Sequence, residues 1–337
     1  MTEKLVLVTG ACGEIGQALI QELDKQGGCR IITSDLAPLP DCIRTISTEH
    51  FQGDMLFKIK LFYDYDFDEI YHLAAFLSSK AETMPEEAHK VNVEGTMQLL
   101  LLGAYKSEKR GRAVKLFFPS SIAAYGLPDA KTKSAAGKVK EVEWLQPHTM
   151  YGANKVYGED LGNYFSHFYG QRHLEPNPPM MLDFRALRFP GLVSAFTVPS
   201  GGTSDYGPEM LHAAAQGKPY ACFVREDSSL PFMAMPDAVK SIRMLMAAPH
   251  FSITRPVYNV AAFSMTAADF RQRALQTFPG AEISFAPNLR RQGIVDSWPA
   301  DVDDSQARQD WCWEPDYNED RFFNEYFIPE IKKRYSK

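Results

Sequence analysis

Three evenly spaced glycines constrain the fold of this chain more than any other feature of its sequence. Gly10, Gly13 and Gly16 lie between an apolar run at Lys4–Thr9 and an amphipathic helical pattern at 14–27. Glycines at a strand-to-helix junction let the backbone turn tightly and approach a pyrophosphate that rests on the helix N-terminus. A glycine triplet alone is a weak signal, but one in this position predicts a dinucleotide-binding β-α-β unit.

Short apolar segments alternate with helical patterns through the first half of the chain. One helix is expected to begin at Pro85, because proline is favoured in the first helical turn, and to run to about residue 107. The predicted strands lie at 4–9, 30–34, 69–73, 114–119 and 182–187. The alternation predicts an α/β fold with a Rossmann-type, doubly wound parallel sheet.

The second half of the chain has a different texture. Proline and glycine cluster at 190–207, and shorter helical and strand patterns follow. We interpret this part as a smaller C-terminal substrate-binding lobe over the carboxyl ends of the strands, where ligands of such folds bind. The expected division is an NAD-binding domain at 1–180, with 181–191 returning to its sheet, and a mainly substrate-binding lobe at 192–337 with some segments returning to the core.

An acidic residue after the second strand points to the kind of cofactor. Asp35 lies nineteen residues beyond Gly16, where a carboxylate can accept hydrogen bonds from the adenosine ribose hydroxyls. The same carboxylate would repel a 2′-phosphate, and no arginine follows it closely, so the sequence favours NAD over NADP. The alternative is an aspartate that simply ends a strand.

Two further segments are expected to contact the cofactor. Asp54 and Met55 follow a third apolar stretch and are placed to meet the adenine. Residues 73–75, Leu-Ala-Ala, end another strand with small side chains that let the backbone pass close to a ligand. His72 before them is interpreted as a packed strand histidine rather than a catalyst.

Tyr151 and Lys155 form a candidate proton-transfer pair. They are four residues apart in a helical pattern, so both side chains stand on one face. An ammonium close to a phenol favours the phenolate, and we therefore expect the pKa of Tyr151 to fall toward the working pH. A phenolate there can take a proton from a substrate hydroxyl. Chance spacing is the alternative for the pair alone, but the glycine loop and Asp35 together with it predict NAD-linked alcohol chemistry.

Composition excludes several classes of protein. A net charge of −6 without a basic run argues against a nucleic-acid partner, and no apolar run approaches the length of a membrane span. The five cysteines are scattered without a Cys-x-x-Cys, which suits a reducing compartment, and the eight dispersed histidines predict no metal site. Because the chain enters a strand at once, we expect no leader peptide and a cytoplasmic location.

Taken as a set, the motifs resemble the extended short-chain dehydrogenase/reductases. The first-half set consists of the 10–16 loop, Asp54, residues 72–75, Asn92, Ser120 and Ser121, Tyr151 with Lys155, and Arg-Phe-Pro-Gly at 188–191. The second half is similar to the NAD-dependent L-threonine 3-dehydrogenases of that superfamily. The motifs there are Pro-Ser-Gly-Gly-Thr-Ser-Asp at 199–205, Arg-Glu-Asp-Ser-Ser-Leu-Pro at 225–231, Tyr-Asn-Val-Ala-Ala at 258–262 and Asp-Ser-Trp-Pro at 296–299.

This resemblance implies an activity and a set of roles. The implied reaction is oxidation of the C3 hydroxyl of L-threonine with NAD, giving 2-amino-3-oxobutanoate and NADH. Tyr151 is expected to act as the base, Lys155 to lower its pKa and bind the nicotinamide ribose, and Ser121 to hold the substrate oxygen. Asn92 is expected to hold a water in a proton relay, with a helix kink or a surface position as the alternative. The expected cofactor contacts are Gly10, Gly13, Glu14, Ile15, Gly16, Asp35, Asp54, Met55, Leu73, Ala74, Ala75, Asn92, Tyr151 and Lys155.

An amino-acid substrate needs partners for both of its charged groups. Asp205 is the expected counter-ion of the ammonium, and Thr203 and Ser78 are short hydroxyl donors for the carboxylate or the hydroxyl. Thr-Ser-Asp at 203–205 also fits a helix N-cap before a helical pattern at 206–217, and both roles remain open. Trp298 resembles a family tryptophan near the active site, with simple packing as the alternative.

Other features concern assembly and departures from the family pattern. The helix that begins near Tyr151 is rich in aromatic residues, and with the leucines at 99–102 it predicts a homodimer face; burial under the second lobe is the alternative. Ser200 replaces a family glycine, and the segment 127–147 looks longer than usual, with a basic part at 131–140 that we expect to be a solvated loop. The family also implies coupling to a 2-amino-3-oxobutanoate CoA ligase.

Three alternative classes of protein are weighed against this resemblance. A nucleotide-sugar epimerase or dehydratase has the same fold, cofactor and Ser/Tyr/Lys set, but typically carries an asparagine where this chain has Pro190 and Gly191. A non-catalytic NAD-sensing protein usually lacks the tyrosine or the lysine. The unrelated zinc-dependent threonine dehydrogenases need a Cys/His/Glu ligand spacing that the sequence does not contain.

Overall fold

The computed structural model describes residues 3–170, 182–199 and 201–336. Its strands are β1 Lys4–Thr9, β2 Cys29–Asp35, β3 Glu49–Gln52, β4 Glu69–His72, β5 Lys115–Ser121, β6 Lys138–Val139, β7 Asp183–Phe189, β8 Gly191–Val193, β9 Tyr220–Cys222, β10 Ser229–Ala234, β11 Val257–Asn259, β12 Phe263–Thr266, β13 Ile283–Phe285 and β14 Asp301–Val302. The predicted strands are confirmed to within one or two residues at each end.

Helices connect most of these strands. The α-helices are α1 Glu14–Gln26, α2 Asp41–Arg44, α3 Met55–Phe62, α4 Ser78–Thr83, α5 Pro85–His89, α6 Gly95–Arg110, α7 Ala130–Ala136, α8 Met150–His167, α9 Tyr206–Ala215, α10 Met235–Ala247, α11 Ala267–Thr277, α12 Leu289–Ser297, α13 Ser305–Trp311, α14 Glu319–Arg321 and α15 Ile328–Tyr335. π-Helical turns lie at Lys90–Glu94 and Phe322–Phe327, and 3₁₀ turns at Ile122–Ala124 and His250–Ser252. Among the residues described, no helix combines the length and apolar character needed to cross a membrane.

A seven-stranded parallel sheet organises the first half of the molecule, in the order β11-β7-β5-β4-β1-β2-β3. Chain connections run from β1 to β2 and β3 on one side, and then return to β4 on the other side of β1. The carboxyl ends of β1 and β4 therefore border a topological switch point, the place where ligands of open α/β sheets bind. The predicted α/β fold with a doubly wound parallel sheet is confirmed.

Apolar layers cover both faces of this sheet. One face packs against α1 and α10 through residues such as Leu19 and Ile242, which are fully buried. The other face packs against α3, α6 and α8 through residues such as Leu99 and Leu161. The helix expected from Pro85 consists of α5, a π-helical turn and α6 in continuous succession.

The C-terminal lobe has its own sheet and its own core. Strand β10 lies between β8, which is parallel to it, and β12, which is antiparallel. Aromatic side chains fill the core beneath this sheet, with Tyr206, Phe232 and Phe270 in mutual edge-to-face contact. Strand β11 and helix α10, both beyond residue 192, pack on the large sheet instead. Ser200, and residues 171–181 at the expected domain junction, lie outside the described residues.

The prediction of a solvated loop at 131–140 is wrong. This segment contains α7 and then β6, which pairs in parallel with β14 of the C-terminal lobe. Asp129 caps α7 by accepting a hydrogen bond from the Thr132 N–H at 2.7 Å. Lys133 is buried, and its ammonium donates to the Val295 carbonyl of α12 at 2.8 Å. The basic composition misled the sequence interpretation because a lysine can bury its stem while its head bonds the end of another helix.

Candidate active site

The glycine loop forms a tight backbone cradle at the switch point. Gly10 has φ +68°, and a Cβ at this position would lie 2.5 Å from the Ala74 backbone nitrogen. A Cβ at Gly16 would lie 2.4 Å from the Gly10 carbonyl oxygen. Within the described part of the chain no side chain caps α1 at Gly13, so the N–H groups of its first turn are left for an external anion. The backbone therefore fits a pyrophosphate.

Asp35 is fixed beside this loop at the end of β2. One carboxylate oxygen accepts from the Cys12 N–H at 2.9 Å, and the other accepts from the Ala37 N–H at 3.0 Å. Each oxygen keeps a second lone pair, so the carboxylate can also accept from hydroxyls. Burial and the nearby Asp35 charge raise the pKa of the Cys12 thiol to about 11, which makes Cys12 an unreactive filler of the loop.

Asp54 and Met55 have structural roles that the sequence did not reveal. Asp54 is the N-cap of α3 and accepts from the Leu56 N–H at 2.9 Å. Met55 is buried in the layer between the sheet and α6, and a Cβ at Gly95 would lie 2.9 Å from its terminal methyl. The Met55 side chain is thus a core residue, and the contact of these two residues with the adenine stays a prediction.

The end of β4 passes directly over the glycine loop. His72 is buried between two threonines, with Nδ1 2.9 Å from Thr9 Oγ1 and Nε2 3.0 Å from Thr96 Oγ1. Burial lowers the pKa of His72 to about 3, so it stays neutral as a packed strand histidine. The next residue, Leu73, donates its N–H to the Thr9 carbonyl at 3.1 Å, and Ala74 follows against Gly10.

Asn92 clamps the segment after β4 to helix α8. It lies in the π-helical turn, so the helix irregularity named as an alternative is present. Its amide accepts from the Phe76 N–H at 2.7 Å and donates to the Phe76 carbonyl at 3.0 Å and to Asn154 Oδ1 at 3.2 Å. The side chain is buried and ties the cofactor edge of the sheet to the helix that carries Tyr151.

Tyr151 and Lys155 stand one turn apart on α8, as the spacing predicts. Thr149 caps the helix by accepting from the Gly152 N–H at 3.0 Å. The Lys155 ammonium is buried, donates to the Pro119 carbonyl at 2.6 Å and lies 5.2 Å from the centre of the Tyr151 ring. Burial lowers the pKa of Lys155 to about 7, against the opposing attraction of Glu159.

The expected fall in the pKa of Tyr151 is not produced by the protein chain. Burial of the phenol raises its pKa above the ordinary value of 10. The ring packs against the core of the C-terminal lobe, where a phenolate loses hydration. Since burial also lowers the pKa of Lys155, the lysine carries only part of its charge near neutral pH and compensates less than the spacing suggested.

The two serines at the end of β5 point to different partners. Ser120 is buried and donates its hydroxyl to the Glu159 carboxylate. Ser121 is half-buried, and its Oγ accepts from the Ala123 N–H at 3.1 Å in the turn beside α8. A Cβ at Gly152 would lie 2.0 Å from the Ala123 carbonyl oxygen, so this close approach brings the start of α8 against the turn that begins at Ser121. Ser121, Tyr151 and Lys155 thus occupy one corner of the sheet edge.

A buried ion pair supports that corner from below. The Glu159 carboxylate accepts from Arg188 Nε at 2.8 Å and from Nη2 at 2.5 Å. The Arg188 guanidinium also donates to the Glu141 carbonyl at 2.7 Å and lies 4.9 Å from the centre of the Tyr125 ring. From the sequence, Arg188 is identified only as part of a motif, and Glu159 is not identified. The position of Glu159 one helical turn after Lys155 is the signal that could have indicated it.

Residues of the second lobe meet the first lobe at the turn formed by residues 201–205. The hydroxyls of Ser78, at the start of α4, and of Thr203 are 3.4 Å apart. Asp205 precedes α9 at the N-cap position, and one of its carboxylate oxygens accepts from the Gly202 N–H at 2.7 Å. The structure therefore places Ser78 beside the turn that carries Thr203 and Asp205, three of the residues expected to bind the substrate.

Trp298 lies in the core of the C-terminal lobe, against which Tyr151 also packs. It is buried at the end of α12, and its indole N–H has no hydrogen-bond partner in the described part of the chain. Its position agrees with the packing alternative.

Comparison with known proteins identifies the class. The model of the NAD dependent epimerase/dehydratase family matches residues 6–261, and the chain belongs to this family. It is 31% identical over 320 residues to the mitochondrial L-threonine 3-dehydrogenase of Bos taurus, covering 94% of this chain and 80% of the relative. Its fold is similar to that of the L-threonine dehydrogenase from Clostridium difficile, with 29% identity, full coverage of both chains and a TM-score of 0.85.

A third relative bears on the cofactor. The GalE-like L-threonine dehydrogenase from Cupriavidus necator, in its holo form, is 32% identical, with 98% of this chain and 99% of the relative covered and a TM-score of 0.80. The family, these relatives and the glycine cradle agree on an NAD-type cofactor. The protein is an NAD-dependent oxidoreductase, and it resembles the L-threonine 3-dehydrogenases within its family.

Proposed function

We propose that this enzyme oxidises the C3 hydroxyl of L-threonine with NAD to give 2-amino-3-oxobutanoate and NADH. The observation that carries the proposal is the 201–205 turn, where the Thr203 hydroxyl lies 3.4 Å from that of Ser78 in the first lobe and the Asp205 carboxylate accepts from the Gly202 N–H. A carboxylate and two hydroxyls can bind a small zwitterion. L-Threonine is also the substrate in the names of the similar enzymes.

The residues of the chain divide the reaction between them. Tyr151 takes the hydroxyl proton of the substrate while the hydrogen on C3 leaves with its electron pair, and Ser121 holds the same oxygen by a hydrogen bond. When bound, NAD would supply the hydride acceptor and a positively charged ring at the site. Lys155 adds positive charge beside the phenol and, like that ring, favours the phenolate form of Tyr151.

The cofactor would be held by groups of the first lobe. The backbone of the 10–16 loop and the first turn of α1 would receive the pyrophosphate. Asp35 would accept from the adenosine ribose hydroxyls, and its charge disfavours a 2′-phosphate, so we propose NAD rather than NADP. Residues 1–180 and 181–191 would thus bind the cofactor, and 192–337 would mainly bind the substrate.

Purified protein with NAD and L-threonine should form NADH, which is followed by its absorbance. We expect slower or no NADH formation with L-serine, L-allo-threonine or NADP. UDP-glucose is the informative comparison, because an epimerase would convert it without net formation of NADH. Chromatography of the sugar nucleotide detects that conversion. Epimerised UDP-glucose together with an absence of NADH from L-threonine would refute the proposal.

The Asp205→Asn variant tests the role of the Asp205 carboxylate in the same assay. In Asp205→Asn the amide oxygen can still accept from the Gly202 N–H, so the turn keeps its bond while the charge is lost. We expect KM for L-threonine to rise about ten- to hundredfold, the loss of one charge-assisted hydrogen bond. Asp41→Asn, at a surface residue 95% exposed, serves as the control and should leave KM unchanged.

We further propose a homodimer formed through α8 and α6. Tyr157 and Tyr164 of α8 and Phe168 directly after it are each 45–48% exposed, and Tyr105 of α6 is 46% exposed. Tyr157 also lines a groove of about 400 Å³ between α3 and α6. The leucines at 99–102 do not contribute as expected: Leu99, Leu100 and Leu102 are fully buried because they face the large sheet.

Sedimentation velocity tests this assembly. The wild-type protein should sediment at twice the chain mass, and Tyr164→Arg should sediment as a monomer, because a charge at the centre of an apolar interface is costly to desolvate. Phe251→Arg places the same charge on a side chain that is 89% exposed outside this surface and should remain dimeric. A monomeric wild-type protein at micromolar concentration would contradict the proposal.

The cellular context is also a proposal. The described cysteines are free thiols, which supports work in a reducing compartment such as the cytoplasm. We propose that the product passes to a 2-amino-3-oxobutanoate CoA ligase, a role that rests on the proposed reaction.

A further inference from the structure

We propose that Arg291 is a positioning residue that fixes the shape of the 201–205 turn and thereby sets the affinity for the amino-acid substrate. This inference rests on the function proposed above. Arg291 lies on α12 in the C-terminal lobe and was not singled out by any sequence motif for substrate binding.

Arg291 binds two consecutive carbonyls of the turn. Its Nη2 donates to the Gly202 carbonyl at 3.0 Å and to the Gly201 carbonyl at 3.3 Å. The guanidinium lies 3.1 Å from the centre of the Phe223 ring, so it is also held by stacking on an aromatic face. A planar cation that is stacked on one side and bonded at its edge has a fixed orientation.

The same peptide group is held from its opposite side by Asp205. The Gly201 carbonyl and the Gly202 N–H belong to one peptide unit, and in a trans peptide they point in opposite directions. Arg291 binds the carbonyl side, while the Asp205 carboxylate accepts from the N–H side at 2.7 Å. Gly201 has φ +89°, a conformation that few other residues adopt, so external contacts are needed to select it. Rotation of this peptide would break both bonds.

Helix α12 is anchored well enough to serve as a fixed support. Gln292 accepts from the Arg225 N–H at 2.7 Å, and Asp296 accepts from the Arg225 guanidinium through both oxygens at 2.9 Å. In the last turn of the helix, Lys133 also donates to the Val295 carbonyl at 2.8 Å. Arg291 therefore extends from a helix that is held in place, and the glycine turn is the part that can change conformation.

First-lobe contacts to the turn are longer. Ser79 Oγ lies 3.4 Å from the Gly201 carbonyl, and Ser78 Oγ is 3.4 Å from the Thr203 hydroxyl. Because neutral hydrogen bonds at this distance are weaker than charge-assisted ones, Arg291 is the main holder of the turn among these groups.

Steady-state kinetics with NAD and L-threonine test the role of Arg291. In Arg291→Ala we expect KM for L-threonine to rise about tenfold or more, while kcat changes by less than about threefold, because the turn binds the non-reacting part of the substrate. Arg291→Lys should recover only part of the affinity, since an ammonium is a point charge without the planar fork. The control is Arg290→Ala, which removes the same charge from an exposed neighbour and should match the wild type in KM and kcat.

A second measurement does not depend on activity. Hydrogen exchange of the Gly202 amide in the substrate-free protein should quicken about tenfold or more in Arg291→Ala, less in Arg291→Lys and not at all in Arg290→Ala. The inference would be overturned if folded Arg291→Ala exchanged this amide at the wild-type rate. If the alanine variant does not fold, a wild-type KM and a wild-type exchange rate in Arg291→Lys would overturn it. Faster exchange in a protein whose wild type does not oxidise L-threonine would instead support the positioning role and refute the proposed substrate.

Discussion

Tyr151→Phe should lose NADH formation from L-threonine by about a thousandfold or more, with NAD affinity and thermal unfolding close to those of the wild type. General base catalysis contributes about 10²–10⁴-fold to rates of this kind, and the phenol is the proposed base. The substitution removes only the hydroxyl, and the phenylalanine ring keeps the packing of Tyr151 against the C-terminal core. The loss should therefore fall on the chemical step.

Initial rates and NAD titration together distinguish this result from a folding defect. Tyr157→Phe is the matched control, since Tyr157 lies on the same helix but is 48% exposed on the proposed dimer face. It should retain full activity. Activity of Tyr151→Phe within tenfold of the wild type would show that another group removes the proton.

Local patterns predicted the parts of this molecule that depend on neighbouring residues. The glycine loop, the strand after it and Asp35 were identified from a segment of a few tens of residues, and the structure places them together at the switch point. Tyr151 and Lys155 share a helix face because four-residue spacing determines it. These features need no knowledge of the tertiary fold.

Contacts between distant segments could not be predicted in the same way. Asn92 meets Asn154 across 62 positions, and Arg291 meets Gly202 across 89. Neither pair has a periodicity that marks it, because each arises only when two elements pack. Lys133 is a different case, because its charge predicted a solvent-exposed side chain. In the structure its ammonium instead donates to the Val295 carbonyl near the end of α12.

Electrostatics of the catalytic pair also depended on packing rather than on spacing. Proximity alone predicted a lowered pKa for Tyr151, but burial raises it and lowers that of Lys155 to about 7. The direction of each shift follows from removing the charged form from water. The corner of the site therefore holds a phenol and an ammonium whose charged forms are both disfavoured by burial.

Glu159→Gln should lower the free energy of unfolding by about 3–5 kcal/mol, the typical effect of removing one partner of a buried ion pair. Glu159 is 5% exposed, and its two oxygens bind Arg188 and Ser120. A neutral amide leaves the buried guanidinium without a counter-ion and places a donor against its N–H groups. Urea unfolding monitored by fluorescence measures the change.

The surface pair Arg321 and Glu325 is the control. Its side chains are 49% and 54% exposed, with nitrogen and oxygen 3.0 Å apart, so Glu325→Gln should leave the free energy of unfolding nearly unchanged. Equal small effects in both variants would show that the Glu159 pair contributes no more than a surface contact.

The Glu159→Gln effect should also depend on pH through Lys155. Glu159 raises the pKa of Lys155 against the stronger effect of burial, so the amide lowers this pKa further below about 7. The unfolded chain binds its lysine proton equally in both proteins, so the Lys155 part of the penalty depends only on the two folded pKa values. This part should be complete below the folded pKa of the variant, shrink as pH rises toward about 7 and vanish above that, while the Arg188 part stays constant. A penalty that is equal well below and well above pH 7 would show that Glu159 acts on Arg188 alone.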